Sequence, residues 1–359
     1  MNIGIAVHHY DRAEGTGGYT VELVTRLAAS HDITLYAAGV EAPPPPNVTV
    51  VRVPALTWRS ITAIVTFPRA LASVVRRHDV LHAQGWVASH ADVVTAHIVL
   101  AAWREAARDH NIHPPLGERL LGGWVARHEA EAFARAPAVI APSRRAADDV
   151  RRCSGRAGEV TVVPHGCDRA LTPTPRIEAR RRCAVDERAF LAAYIGDARK
   201  GLRAAIAGLV HADEAHLLAL TASDPAPFGH LAAQLGVAAR LHWAPRGVGA
   251  ADVFGATDVV LQPTIYDTFG MVVGEALALG IPAIVSSRAG AAELIEHRRS
   301  GWILSGVTAQ ETGGALLALS RDRDLRASMA AAGRAVAARY SWDETTRRTL
   351  EVYEQARRR

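Results

Sequence analysis

Two carboxylates, Asp267 and Glu275, stand in the otherwise apolar stretch PTIYDTFGMVVGEALALGIPAIVSS, residues 263–287. The run reads as a strand end, a loop, a helix from about Met271 to Leu279, a Gly-Ile-Pro stop and another strand. Glu275 falls in the second turn of that helix and Asp267 in the loop before it. On a helix wheel the two acids would lie roughly 80° apart, but with Asp267 in the loop both can address one edge. An acid near a helix start is favoured by the helix dipole, which accounts for Asp267. It does not account for Glu275, flanked by Val, Gly, Ala and Leu with no Lys or Arg one turn on. A carboxylate there can accept two hydroxyl hydrogen bonds, which suits a ribose diol or the hydroxyls of a sugar.

A second segment, YIGDARKGLRAAI (194–206), ends a strand at Gly196 and puts Arg199 and Lys200 at the mouth of the next helix. Two cations at the positive end of a helix dipole are unfavourable without an anionic guest. A diphosphate would engage the guanidinium fork, the ammonium and free N–H groups together. On this segment alone, a solvated surface pair explains the residues equally well. Near the start, HHYDRAEGTGGYT joins a first strand to a first helix. Gly15, Gly17 and Gly18 there give a loop that a ligand could approach closely. The spacing is G-x-G-G rather than G-x-G-x-x-G and no acid ends the second strand, so a dinucleotide site is weakly supported. His97 follows the strand of DVVTAH. A lone histidine is more often structural, as with His8, His9, His82 and His165, and His97 gains weight only from its company. Asp322 and Asp324 in RDRD lie between two helical patterns and read as a helix cap, so no metal is expected.

These residues need elements to hold them. Apolar strand-type runs alternate with Ala/Leu-rich helical patterns almost throughout, the mark of parallel sheets built from β-α-β units. Residues 1–166 give one doubly wound domain, with a helix near 68–77 and a long one over 116–136. Residues 167–187, with prolines and many charges, read as a linker carrying a short helix. Residues 188–341 repeat the alternation as a second domain, and a last helix at about 342–359 is placed to pack back on the first. Such sheets bind ligands at the carboxyl ends of their strands. The expected architecture is therefore α/β, two Rossmann-like doubly wound parallel-sheet domains facing a central cleft. The segments Trp58–Val65, Trp86–His90 and Trp103–Pro115 read as first-domain loops able to shape an acceptor site.

The totals narrow the classes. A chain of 359 residues with 49% hydrophobic and 21% charged residues is a folded protein of about two domains. A net charge of +5 allows anionic ligands, but no dense Lys/Arg tract demands nucleic acid. Three widely spaced cysteines, Cys153, Cys167 and Cys183, fit neither a disulfide framework nor a zinc site. With no signal-peptide pattern at MNIGIAVHHY, the expectation is a cytoplasmic protein with reduced thiols. The apolar run at 61–75 contains Pro68 and Arg69 and is too short to span a bilayer. Arg59, Arg69, Arg76 and Arg77 leave peripheral contact with an anionic membrane open, against the simpler reading of scattered arginines in an Arg-rich chain.

In order, the Gly17-Gly18 segment, DVLHAQG, VVTAH, VIAPS, VVPHGCD, GDARKG, ATDVVLQPT, DTFGMVVGEALALGIPAIVSS and YSWDE resemble a known motif series. It is that of the retaining GT-B glycosyltransferases of family four (glycosyl transferases group 1), and the resemblance covers nearly the whole chain. The pattern G-D-x-R-K-G is closest in style to the lipopolysaccharide-core glucosyltransferase branch. The resemblance implies transfer of a hexose-type sugar from a nucleotide-diphosphate sugar, first choice UDP, to an acceptor hydroxyl, without metal or cofactor. It implies that Glu275 holds the donor ribose, and that Asp267, Thr268, Phe269, Gly270 and Met271 surround the donor sugar and phosphate. Arg199 and Lys200 would grip the diphosphate, Gly17 and Gly18 would approach it, and Ala244 and Pro245 would flank the base. His97 would stand near the reacting carbon, making His97, Asp267, Arg199 and Lys200 the catalytic set. Asp267 replaces the family's more usual Glu and is shorter by one methylene. The acceptor, a lipid-linked sugar or a small molecule, is left open, as is the oligomeric state. Alternatives are a GT-B epimerase or phosphorylase, and a nicotinamide-dependent dehydrogenase, which would need the G-x-G-x-x-G and acid that are missing. A periplasmic-type binding protein would need an export signal.

Overall fold

Strands covered on both faces must be apolar nearly end to end, as FLAAYI at 190–195 and AIVS at 283–286 are. In the computed structural model all residues are described except 13–14, 57–59, 168–170 and 359, so Trp58 and Arg59 lie outside the described residues. The chain divides into two units, Met1–Gly166 with Ser341–Arg359, and Cys167–Tyr340.

The first unit carries β1 (Asn2–Tyr10), α1 (Gly15–Leu27), β2 (Asp32–Val40), β3 (Thr49–Arg52), α2 (Ser60–Val74), β4 (Val80–Gln84) and β5 (Val93–Thr95). It continues through α3 (Leu100–Asp109), α4 (Leu116–Arg135), β6 (Ala138–Ala141), α5 (Arg144–Ser154) and β7 (Val160–Val162). All strands pair in parallel, in the order β3-β2-β1-β4-β5-β6-β7. The chain builds outward from β1 to β3, then returns to lay β4 on the other side of β1. Such a reversal leaves a crevice beyond the carboxyl ends of the two central strands.

Two helices of this unit differ from the sequence expectation. A helix near 68–77 instead runs over Ser60–Val74 with Pro68 inside it. Proline favours helix starts, but burial of Phe67 and Leu71 on either side carries the helix through. The segment expected as a loop over 103–115 begins inside α3, which buries Ala102, Ala106 and Ala107 against the unit.

The second unit opens with α6 (Arg176–Arg182), so the stretch expected as a linker lies within this unit. Arg180 ties it down. The buried guanidinium donates to the carbonyl of Ala256 at 3.0 Å and to Asp258 at 2.7 Å. Then follow β8 (Phe190–Ile195), α7 (Leu202–Gly208), β9 (Ala215–Leu220), α8 (Ala226–Gln234), β10 (Leu241–Trp243) and α9 (Ala250–Ala256). The unit ends with β11 (Val259–Gln262), α10 (Met271–Leu279), β12 (Ala283–Ser286), β13 (Trp302–Leu304), α11 (Ala309–Arg321) and α12 (Arg323–Ala337). Its parallel sheet has the order β10-β9-β8-β11-β12-β13, so the reversal falls between β8 and β11. Asp322 caps α12, accepting from Leu325 N at 2.8 Å. The last helix, α13 (Trp342–Arg357), belongs to the first unit, where Trp342 and Tyr353 are fully buried. Among the described residues no helix is long and apolar enough to cross a membrane.

Candidate functional site

The reversal between β8 and β11 brings two loops side by side. After β8 the chain turns at Gly196, whose φ of +133° lies outside the range open to other residues. Asp197 then caps a short 3-10 turn over Ala198–Lys200, accepting from Arg199 N at 2.9 Å. After β11, Gln262 donates from its side-chain amide to the carbonyl of Ile195 at 2.8 Å, and Ile265 N donates to the carbonyl of Lys200 at 2.7 Å. Gly201 permits that approach, because a Cβ there would stand 2.2 Å from the carbonyl oxygen of Pro263.

The charged side chains meet across these loops. Lys200 Nζ donates to Asp267 Oδ2 at 2.7 Å, although the residues are far apart in sequence. Lys200 is 40% exposed and Asp267 18%. Arg199 folds back on Asp197, with Nη2 at 2.8 Å and Nε at 3.1 Å from Oδ2. Burial works against ionisation of Asp197, but the bonds from Arg199 and the charges of Arg199 and Lys200 outweigh it and hold the carboxyl below its usual range. The sequence suggested two cations at a helix mouth that would be unfavourable without an anionic guest. They do precede α7, in the 3-10 turn ahead of it, and each already faces a carboxylate.

The loop before α10 is held from its other side. Gly290 N donates to the carbonyl of Asp267 at 3.0 Å, and Ala291 N to that of Phe269 at 2.7 Å. Phe269 N approaches Asp267 Oδ1 at 3.3 Å. Gly270 takes φ +94°, a left-handed conformation that glycine supplies without strain, and α10 starts at the next residue. Gly280, at φ +71°, closes the other end as a left-handed cap. The ring of Phe269 is buried beside Val273 and Leu277 in the core, so this residue can offer a ligand only its backbone. Thr268 is also buried, and Glu275 lies one turn into α10, only 7% exposed. Ala244 and Pro245 follow β10, two strands from β8. Ala244 N donates to the carbonyl of Ala219 at the end of β9.

In the first unit, Gly17 and Gly18 are not in a loop. They lie buried in the first turns of α1. A Cβ on Gly17 would come within 2.8 Å of the Asp11 carbonyl oxygen and 3.0 Å of that of His9, so a small residue lets α1 start against the end of β1. His97 lies two residues beyond β5. Its Nε2 is 2.7 Å from Gln84 Oε1, and its ring meets Tyr19 edge-on at 4.8 Å and lies 5.8 Å from His165. Burial pushes the His97 pKa down to about 3, leaving the ring neutral. His82 is pushed down to about 3 by burial and by His97, and His165 falls well below the ordinary histidine range for the same two reasons.

Two family models match in tandem along this chain. Glycosyltransferase Family 4 matches residues 13–171 and Glycosyl transferases group 1 matches residues 193–336. The chain belongs to the group 1 glycosyltransferases. A D-inositol 3-phosphate glycosyltransferase from Xylanimonas cellulosilytica is 28% identical over 97% of this chain and 93% of its own. Among solved structures, WaaG, a glycosyltransferase involved in lipopolysaccharide biosynthesis, superposes with a TM-score of 0.79 at 18% identity, covering 98% of this chain and 99% of that one. HepE from Anabaena, in complex with UDP-glucose, gives 0.74 at 16% identity over 97% and 98% of the two chains. The fold is accordingly GT-B, with two Rossmann-like parallel-sheet units.

Within this glycosyltransferase the second unit brings Arg199, Lys200, Asp267 and the backbone of residues 268–271 together at one strand reversal. The ring cluster around His97 was not found from sequence. From sequence His82 and His165 read as structural, and Gln84, Tyr19, Trp342 and Tyr353 carry no signal of their own. The available hint was that DVLHAQG, VVTAH and VVPHG each place a histidine at or just beyond a strand.

Proposed function

We propose that this chain is a retaining hexosyltransferase that takes its sugar from a nucleotide-diphosphate donor, UDP-sugar first, and that the second unit holds the donor. The observation that carries the proposal is the Lys200–Asp267 pair, with Arg199 beside it, where the strand order reverses between β8 and β11. Half-exposed ion pairs of this kind exchange partners at little cost. A diphosphate entering between the two loops can take the ammonium and the guanidinium, and it releases Asp267 to bind sugar hydroxyls. Glu275 is assigned to the ribose diol, and the loop after β10 at Ala244 and Pro245 to the base. His97 in the first unit is assigned to the reacting sugar.

The bond from the anomeric carbon to the diphosphate oxygen breaks while the acceptor oxygen attacks from the same face. The acceptor proton passes to the departing phosphate, so no protein nucleophile is needed. Arg199, Lys200 and backbone N–H groups stabilise the charge that develops on the leaving group, and the proposal assigns no metal to that task. HepE, solved with UDP-glucose, supports UDP as the first donor to try. The relative named for D-inositol 3-phosphate puts a small phosphorylated polyol on the acceptor panel, beside lipid-linked sugars.

The test measures thermal stabilisation by free UDP, GDP, ADP and NAD, together with nucleotide release from each nucleotide sugar with a mixed acceptor panel read by mass spectrometry. Stabilisation by one nucleoside diphosphate and release of the same nucleotide is expected. Stabilisation by NAD with none by any nucleoside diphosphate would overturn the proposal.

A further inference from the structure

We infer that Gln84 is a positioning residue for His97, braced through His82 by the C-terminal helix. The inference rests on the assignment of His97 to the reacting sugar made above.

Gln84 ends β4, and in the sheet it stands opposite Thr95, the last residue of β5. It is only 3% exposed. A buried amide must place both of its ends, and here the oxygen meets a ring nitrogen of His97 while the nitrogen rests against the ring of His82. The oxygen lies 2.7 Å from His97 Nε2. The nitrogen lies 3.3 and 3.4 Å from the two ring nitrogens of His82. His82 is fixed in turn, with Nδ1 at 2.6 Å from the Tyr353 hydroxyl of α13 and Nε2 at 2.7 Å from the Thr95 hydroxyl. His82, Thr95 and Tyr353 are all fully buried.

This chain of contacts does something the surrounding rings cannot. Tyr19 and His165 limit the tilt of the His97 ring, but an aromatic contact hardly distinguishes a ring from the same ring turned by half a revolution. A hydrogen bond does distinguish them. An amide oxygen only accepts, so it selects the neutral tautomer with the proton on Nε2 and leaves Nδ1 as the acceptor edge. Burial keeps the ring from taking a second proton. Among the described residues, titratable groups that face His97 include Tyr19 from α1, His82 from β4, His165 after β7 and, behind His82, Tyr353 from α13. His97 is half-buried, desolvation pushes its pKa down to about 3, and Gln84 sets its direction.

The experiment uses the full chain with its nucleotide-sugar donor, combining steady-state kinetics with nitrogen NMR of the histidine rings. In the wild type, His97 should hold its proton on Nε2 and stay neutral between about pH 5 and pH 8. Gln84→Leu should give a mixture of tautomers and lower kcat roughly 10- to 100-fold, with donor KM nearly unchanged. Gln84→Glu adds a carboxylate and should move the acid limb of the kcat profile to higher pH, because the charged imidazole is then favoured. Tyr353→Phe should lower kcat less, in the same direction. In a background of His97→Ala, Gln84→Leu should cost nothing further. A wild-type His97 protonated on Nδ1 overturns the inference even if no Gln84 variant folds. So does a folded Gln84→Leu with unchanged kcat while His97→Ala is impaired. Full turnover in His97→Ala instead removes the site assignment on which the inference rests.

Discussion

The two parallel sheets end in carboxyl edges of opposite character. In the first unit, the edge at β4 and β5 is packed with rings, among them His82, His97, His165 and Tyr19, with Tyr353 and Trp342 from α13. Burial strips these histidines of charge. In the second unit, the edge at β8 and β11 gathers Arg199, Lys200, Asp197 and Asp267 into two ion pairs partly open to water. Both edges arise from the same strand reversal, so topology alone does not set their chemistry. Solvent access does. An exposed ion pair is worth about 1 kcal/mol or less and can be traded for a ligand. Breaking a buried pair costs about 3–5 kcal/mol, and a buried neutral network holds one geometry instead. One edge is suited to exchange and the other to direction.

The contrast can be broken most forcefully at Gly201. Gly201→Ala drives a Cβ into the Pro263 carbonyl and must part the two loops. A stability loss of about 3 kcal/mol or more is expected in denaturant unfolding, together with loss of nucleotide-dependent stabilisation. Lys200→Ala and Glu275→Ala should each lower turnover roughly 10²- to 10³-fold, about 2–4 kcal/mol, without changing the fold by circular dichroism. Near wild-type rates in both would remove the donor site from the second unit.

Acid should sharpen the comparison by weakening the other edge. The folded pKa values of His82 and His97 lie near 3, against 6.5 as the ordinary value, so the unfolded chain binds more protons between those limits. Stability present above pH 6.5 should therefore fall as pH drops, by up to about 1.4 kcal/mol per pH unit for each such histidine. Glu129, pushed up to about 8 by burial, acts with the opposite sign over the same range and offsets about one histidine. Melting of Glu129→Gln between about pH 6.5 and pH 4.5 therefore checks this, and a flat profile in that variant would contradict the neutral state of the cluster. The smallest effect is expected from Asp267→Glu. One added methylene beside Lys200 should shift the preference among donor sugars by about 1 kcal/mol or less, read by competing donors in mass spectrometry.

Much of this could be read along the chain, because the signals are local. Apolar runs bounded by turn residues marked the strands of two parallel sheets, and Gly270 and Gly280 bracketed α10 at Met271–Leu279. The aspartate in RDRD was readable as a cap, and Asp322 is one. Signals of the same local kind misled where packing overrode them. Gly17 and Gly18 suggested a loop but lie in the first turns of a helix, where Gly17 leaves the space that the end of β1 requires. Pro68 suggested a helix start but sits inside a helix held by buried neighbours.

The sequence by itself determined the motif order, the alternation that makes two parallel sheets, and the residue types available for a phosphate and a sugar. These depend on residues a few positions apart, where backbone geometry and side-chain periodicity act. Only the tertiary structure decided that Lys200 faces Asp267, because that pairing follows from β11 lying beside β8. Only it decided that Gln84 and His82 stand between His97 and a tyrosine of the last helix, because burial brings those residues together from three separate segments.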